Sequence, residues 1–488
     1  MTFILKKKND TKYKLKYKKT VYPISIIILL SFTLLSGCVT ISTVGESKSL
    51  ATAPLPSVIK NMESPTFWNA RLANPADVIM TQDEISSFNK DILKLKVYLK
   101  DIFSSPATVK GEEVSANIDS LFDWAKSRPF LGHNNYPLTD DFYTKINESI
   151  DTEALPDEIN VRWGMTVRET DVRVLPTREI AMEAKDDYQF DYFQMSLLSF
   201  ATPLSVLAQS KDGRWLFVET PYVSGWVRSQ DIAIAKNKEE ILRYLNINTQ
   251  ERQEKTLLTI TGPWVGLYAD SRLQTYAGRL RLGTRLPAIK KSGDIFEVLV
   301  PSRNFNGTLT FKRGYISRRA SVALGIPPYT QENIIKIAFS MLGEPYGWGG
   351  MFGFWDCSAY TRDVFSVCGF VLPRNSTSQS KIGVVIGVFD EETPIEDKYK
   401  ALKDAPPGIT LLRLPGHVMI YLGEVDGKHY AIHDTWGFRT KGFLGRSQLH
   451  NIGGVVVSEL SLGEGGKKGS LIERITHVIM IKAEGDTE

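Results

Sequence analysis

The spacing of apolar residues changes several times along the chain, and each change marks a boundary. From Val21 to Leu35 the run is apolar and uncharged, behind a lysine-dense stretch ending at Lys19. It is too short to span a membrane comfortably and predicts a secretory leader over residues 1–37. Residues 38–58, rich in Ser, Thr, Ala and Pro, predict a flexible tether. Over 59–150, Ile85, Phe88, Ile92, Leu95 and Leu99 recur at helical spacing and predict a mostly helical N-terminal domain. Between 151 and 235 the pattern shortens to strands at 172–174, 203–207, 215–219 and 225–228, with Asp212-Gly213 as a hairpin signal. After a polar, helix-prone connector at 236–255, a similar succession returns over 256–326, at 264–268, 282–287, 296–300 and 314–317. The two stretches predict a pair of small β-barrels, a weak internal repeat.

Pro327-Pro328 opens the last segment, 327–488. It holds a helical stretch at 332–342, a Gly/aromatic run from Tyr346 to Trp355 and a helix-like stretch at 359–368. Strand-like runs follow at 409–412, 418–422, 430–433, 455–460 and 478–481. Helices first and antiparallel strands second predict an α+β domain.

The length of 488 residues allows three or four folded units at roughly 100–200 residues each. The net charge of +4 is concentrated at the start: residues 1–37 carry eight Lys and one Asp, so +4 less +7 leaves −3 for the remainder. That excludes an obvious nucleic-acid partner. The three cysteines, Cys38, Cys357 and Cys368, fall in different contexts. Cys357 and Cys368 are eleven residues apart on one predicted helix, roughly 16 Å along its axis and beyond disulfide reach. Cys368 is therefore expected to be a small buried hydrophobe.

Candidate chemistry centres on Cys357, flanked by Asp356 and Ser358 at a helix start. The unpaired N–H groups there favour a thiolate, and a neighbouring imidazolium can bring a cysteine pKa from ~8.5 to roughly 3–7. A thiol that cleaves amides also needs a base, a group that orients the base, and oxyanion donors. His417 stands at the start of one strand, and His429 and His433 lie on one face of the next. If residues 423–427 form a five-residue loop, Leu422 pairs with Lys428 and His417 falls opposite His433, with Cβ atoms ~4.5–5.5 Å apart. A two-residue turn at Asp426-Gly427 would instead send His433 to the other face. His429 reads as a strand-end surface residue. His133, His450 and His477 read as ordinary surface or core histidines, and no metal or cofactor is expected.

Several motifs carry resemblances. Leu35-Ser36-Gly37-Cys38 resembles the bacterial lipobox, which implies lipidation of Cys38 and attachment to a membrane, away from the inner membrane in a Gram-negative cell because Val39 follows. The two strand-rich units resemble bacterial SH3-like domains, and the last segment resembles papain-like hydrolases. The segments 346–350, 356–358, 372–376 with Gln379, 416–423 and 431–433 together resemble the NlpC/p60 family of cell-wall cysteine peptidases.

The resemblance implies cleavage of the γ-D-glutamyl–diamino acid bond of peptidoglycan stem peptides such as L-Ala-γ-D-Glu-diaminopimelate. Cys357 would attack, His417 would act as base and His433 would orient it. Asp356 and Ser358 would help bind the free amine of L-Ala; for Asp356 helix capping is an equal alternative. Tyr346 would line the oxyanion site or merely pack. Tyr192 and Tyr222 are candidates for a cleft wall, or ordinary barrel aromatics. The protein is expected to act as a monomer in the cell envelope. The competing readings are a wall-binding protein whose SH3-like units carry the function, and an amidase or acyltransferase on the same scaffold.

Overall fold

The structure, a computed structural model, describes residues 54–95, 99–245, 257–442 and 447–483. The predicted leader, Cys38 and the tether up to residue 53 lie outside the described residues, as does most of the connector beyond its helix Lys238–Leu245. Among the described residues no helix is long and apolar enough to cross a membrane.

The N-terminal helices form as their apolar spacing dictates. Gln82–Lys94 starts at a reciprocal cap between Thr81 and Glu84 and buries Ile85, Phe88 and Ile92. Gly111–Lys126 buries Val114 and Ile118, and Asp140–Ile150 buries Tyr143. These helices do not share one core. Ile85, Phe88 and Ile92 pack with the C-terminal segment, beside Tyr360 and Phe370, whereas Val114, Ile118 and Ile150 pack on Phe217 and Trp226 of the first strand-rich unit. The stretch expected as a helical domain is thus divided between two neighbours.

The two strand-rich units are seven-stranded sheets, over residues 162–234 and 257–324. With the strands of each sheet lettered a to g in chain order, the spatial order is c-b-f-e-d-a-g in both. The internal repeat is therefore one of topology as well as strand pitch. Each has its own apolar interior, Val172, Leu204, Val218 and Val227 in one, Leu258, Leu280, Val298 and Ile316 in the other.

The last segment is a six-stranded sheet with every pair antiparallel. Its spatial order is Val384–Val388, His477–Met480, Thr410–Leu414, His417–Val425, Lys428–Lys441, Ser447–Glu459. One face packs Val418, Ile420, Ile432 and Val457 against the helices Gln331–Ser340 and Cys357–Ser366. The other packs Met419, Tyr421 and Ala431 against Leu402, Leu471 and Ile472. This alternation along the central strands is the period-two pattern of a sheet covered on both sides.

One expectation about this sheet is overturned. Residues 423–427 do not form a five-residue loop: Val425 pairs with Lys428 across the tight turn Asp426-Gly427, both at positive φ, as a primed hairpin turn requires. Yet the histidines still come together. A bulge lies between Tyr421, opposite Ala431, and Gly423, opposite Tyr430. The extra residue, Leu422, shifts the register by one, and with a period of two that exchanges the faces. Continued past Ile420–Ile432, the register sets His417 and His433 on one face as diagonal neighbours, not as an opposed pair.

Candidate active site

Cys357 is the first residue of the helix Cys357–Ser366, and Asp356 caps it by accepting from the Ala359 N–H at 2.9 Å. The preceding loop is held close by glycines. Gly349 and Gly350 have φ of +60° and +88°, and a Cβ on either would strike the first sheet, at 2.4 Å from the Gln194 carbonyl and 2.5 Å from Leu197 Cβ. The Gly349 N–H also donates to Asp356 at 3.1 Å. The Gly/aromatic run thus seats the peptide ahead of the cysteine directly against a strand of the neighbouring unit.

Asp356 is more heavily bonded than a cap requires. Arg374 donates to both its oxygens, at 3.0 and 2.6 Å, and the Ser358 hydroxyl donates at 3.1 Å. Burial alone would raise the carboxyl pKa, but the Arg374 charge and these donors outweigh it and hold Asp356 below the usual carboxylate range. Arg374 in turn reaches Ser196 of the first sheet, Nε to Oγ 2.8 Å. The Asp356 carboxylate is occupied by the helix and Arg374, which favours its capping role over amine binding.

His417 is the first residue of its strand and pairs with Leu414 across the turn Pro415-Gly416. The Cys357 sulfur sits 4.0 Å from the Gly416 carbonyl oxygen and meets the Val418 N–H, so it contacts the backbone on both sides of His417. His417 Nε2 lies 2.7 Å from His433 Nδ1, and His433 Nε2 lies 2.8 Å from Ser458 Oγ. Ser458 was not visible as a site residue in the sequence. It comes from the edge strand Ser447–Glu459, opposite Ala431, and no motif marks it.

The protonation states reverse the expectation of a resting thiolate. Burial, reinforced by the Asp356 carboxylate, pushes the Cys357 thiol up to about 12. Burial, with the Arg474 charge behind it, takes His417 down to about 3. Burial and the neighbouring His417 hold His433 well below its usual range. The helix N-terminus supplies only about half a charge, too little to offset desolvation of an anion beside a carboxylate. Burial therefore favours the neutral thiol and the neutral imidazoles over their ions.

Other candidates fall into place around this centre. Tyr346 stands beside Trp436, ring centroids 6.2 Å apart, and burial raises its hydroxyl pKa, with Asp356 and Cys357 contributing. His429 is not a surface residue: it is buried, 2.7 Å from the Tyr421 hydroxyl and packed on Tyr399. Cys368 is fully buried. Tyr192 and Tyr222 both line a cavity of about 660 Å³ with Trp348, Arg374 and Asn375, and no residue of the helix Cys357–Ser366 lines it. Asp434 is a further residue that spacing did not single out. It is fully buried, neither of its oxygens has a hydrogen-bond partner among the described residues, and burial holds it protonated.

Comparisons with known proteins bear on the same two regions. Residues 181–228 match the SH3 domain (SH3b1 type), and residues 343–441 match the NlpC/P60 family. A Bacillus cereus protein named gamma-D-glutamyl-L-lysine dipeptidyl-peptidase is 29% identical over 141 residues, 28% of this chain and 41% of that one. A Bacillus subtilis protein of the same name is 26% identical over 195 residues, 38% of this chain and 57% of that one. The match thus spans about half the length of these curated relatives. A solved NlpC/P60 endopeptidase from Photobacterium damselae subsp. piscicida superposes with a TM-score of 0.69 at 19% identity, covering 88% of this chain and 99% of its own. That likeness shows a shared fold.

Proposed function

We propose that this chain, which carries an NlpC/P60 domain at 343–441 behind an SH3 domain at 181–228, is a cysteine endopeptidase that cleaves the γ-D-glutamyl–diamino acid bond of peptidoglycan stem peptides. The observation that carries the reading is the series His417, His433 and Ser458, in which each hydrogen bond of the imidazole pair fixes the next, beside a cysteine whose sulfur meets the backbone on both sides of His417. For His417 to accept a proton at Nδ1, its Nε2–H must donate to His433 Nδ1. His433 then carries its proton on Nε2 and donates to Ser458. One tautomer arrangement satisfies the whole series.

In this mechanism the thiol proton passes to His417 as sulfur bonds to the γ-carbonyl carbon, so neither ion is formed before substrate arrives. The oxyanion is met by the free N–H groups at the start of the cysteine helix, with the Tyr346 hydroxyl beside them. The imidazolium returns its proton to the departing amine, leaving an acyl thioester on Cys357. Water, deprotonated by His417, then releases the acid and restores the thiol. Substrate entering beside Tyr192, Tyr222 and Trp348 would be confined to a walled space, which favours short free peptides over intact wall. By the same reading Cys38 bears the acyl chains that hold the protein at the envelope.

The test is incubation of the full chain, and of Cys357→Ala, with L-Ala-γ-D-Glu-meso-diaminopimelate and with purified sacculi. Mass spectrometry should find L-Ala-D-Glu from the wild type and the free peptide alone. Product from Cys357→Ala would remove the cysteine from the reaction, and release from sacculi would contradict the confined cleft.

A further inference from the structure

Arg281 closes the strand Tyr276–Arg281 of the second strand-rich unit, opposite Trp264, and its buried side chain is directed at the C-terminal segment. The guanidinium makes three bonds there. Nη1 donates to the Gly353 carbonyl at 2.6 Å, Nη2 to the Phe354 carbonyl at 3.1 Å and Nε to Asp363 Oδ2 at 3.0 Å. Its Cζ lies over the Trp355 ring, 3.8 Å from the centroid. Gly353 and Phe354 come shortly before Cys357 in the chain, and Asp363 lies on the helix that Cys357 begins. One side chain therefore ties the peptide ahead of the nucleophile to the helix behind it.

The surrounding contacts hold the same loop at both ends. Trp355 Nε1 donates to the same Asp363 oxygen at 2.7 Å, its carbonyl accepts from the Gly347 N–H at 2.6 Å, and its ring packs on Trp264 with centroids 4.8 Å apart. Trp264 Nε1 in turn donates to Glu344 at 3.0 Å, just ahead of Tyr346, which bridges to Trp355. Asp363 has a second cation, Arg362, at 2.8 Å. Removing Arg281 would thus leave the carboxylate still paired, while the Gly353 and Phe354 carbonyls would lose the donors that fix them. A planar fork serves three separated acceptors at once, which a single ammonium cannot do.

We propose that Arg281 is a positioning residue for the Cys357 nucleophile, and that the second strand-rich unit works inside the catalytic machinery, its Trp264–Arg281 face fixing the turn at Gly353-Phe354. The inference rests on the peptidase reading above and adds to it a residue that lies outside the 343–441 match. Displacing a reacting atom by about 1 Å can cost on the order of 10²-fold in rate. Arg281 bonds to the loop and helix around the sulfur, so the loss falls on kcat and leaves KM nearly alone.

The experiment compares the full chain with Arg281→Lys, Arg281→Met and Arg313→Gln, the last breaking an exposed ion pair with Glu297 on the same unit. It measures kcat and KM on L-Ala-γ-D-Glu-meso-diaminopimelate, urea unfolding, and the rate at which iodoacetamide alkylates Cys357, read by peptide mapping. Arg281→Lys keeps a charge for Asp363 and should fold, yet both Arg281 variants should lose about 10²-fold in kcat with KM within about twofold of wild type. Cys357, only 7% exposed in the intact site, should be alkylated several-fold faster in both, and Arg313→Gln should match wild type throughout. Wild-type kcat and alkylation in folded Arg281→Lys overturn the inference, as does a rise in KM at unchanged kcat or an equal loss in Arg313→Gln. Failure of Arg281→Lys to fold would make Arg281 a folding residue and overturn it too. Cleavage of nothing by the wild type sinks the peptidase reading alone, because the alkylation rates still report whether Arg281 holds Cys357 in place.

Discussion

Arg374→Met should be among the most damaging single substitutions near the cysteine, because it strands a buried anion. The Asp356 carboxylate now receives two bonds from Arg374 and one each from Ser358, Ala359 and Gly349, all between 2.6 and 3.1 Å. Without the guanidinium three neutral donors remain around a charge with little access to water. Breaking a buried pair from one side costs about 3–5 kcal/mol, whereas replacing both partners together is often close to neutral. Arg374→Met/Asp356→Asn should therefore recover much of the loss, with a coupling of about 2–3 kcal/mol.

The pH dependence gives the sign. Asp356 is held below its usual value in the wild type, so its contribution is present above the unfolded pKa and fades as pH falls through the folded one. In Arg374→Met burial is no longer opposed and the carboxyl pKa rises. Acid then neutralises the stranded group, and the deficit relative to wild type shrinks below about pH 5. Urea unfolding of the wild type, both single variants and the double variant at neutral and acid pH reads all three quantities. A loss under about 1 kcal/mol, a double variant no better than Arg374→Met, or a deficit that widens in acid would refute the reasoning.

His433→Gln offers an amide oxygen to His417 and an amide N–H to Ser458, so it should retain far more turnover than His433→Leu, for which a fall in kcat on the order of 10²–10⁴ is expected; equal losses would mean that the ring only fills space. Asp434→Asn should stabilise the protein increasingly as pH rises. The raised carboxyl pKa makes the wild type lose stability once pH exceeds the unfolded value, a penalty that a neutral amide lacks; urea midpoints that stay parallel across pH would contradict this. Cys357, with its thiol at about 12 and His417 at about 3, should react with iodoacetamide ever faster between about pH 6 and pH 9. A rate already level at the acid end would instead reveal a preformed thiolate–imidazolium pair.

The sequence marked the candidate chemistry more clearly than the geometry around it. Cys357 and His417 sit in short local motifs and could be read directly, as could the turn-forming Asp426-Gly427. What no local pattern announced was the bulge at Leu422, which depends on how two strands settle against helices on both faces, and which brings His433 to His417 despite the tight turn. Apolar spacing revealed the helix at Gln82–Lys94 but not its host, since an amphipathic stripe specifies that a face is buried and not what buries it. Arg374 lay within a recognised motif, yet its bond to Asp356 joins residues eighteen apart in the chain. Ser458 is one more serine on a strand until the fold sets it beside His433.

The central claim is that the Cys357 sulfur forms the acyl bond. Rapid quenching of the full chain during turnover of L-Ala-γ-D-Glu-meso-diaminopimelate, followed by peptide mapping in mass spectrometry, tests it most directly. An L-Ala-D-Glu acyl group on the peptide containing Cys357, absent from Cys357→Ala and accumulating in a variant slowed at thioester hydrolysis, is the predicted result. Continued release of product with that peptide unmodified in every sample, or with the acyl group on another residue, would contradict the account.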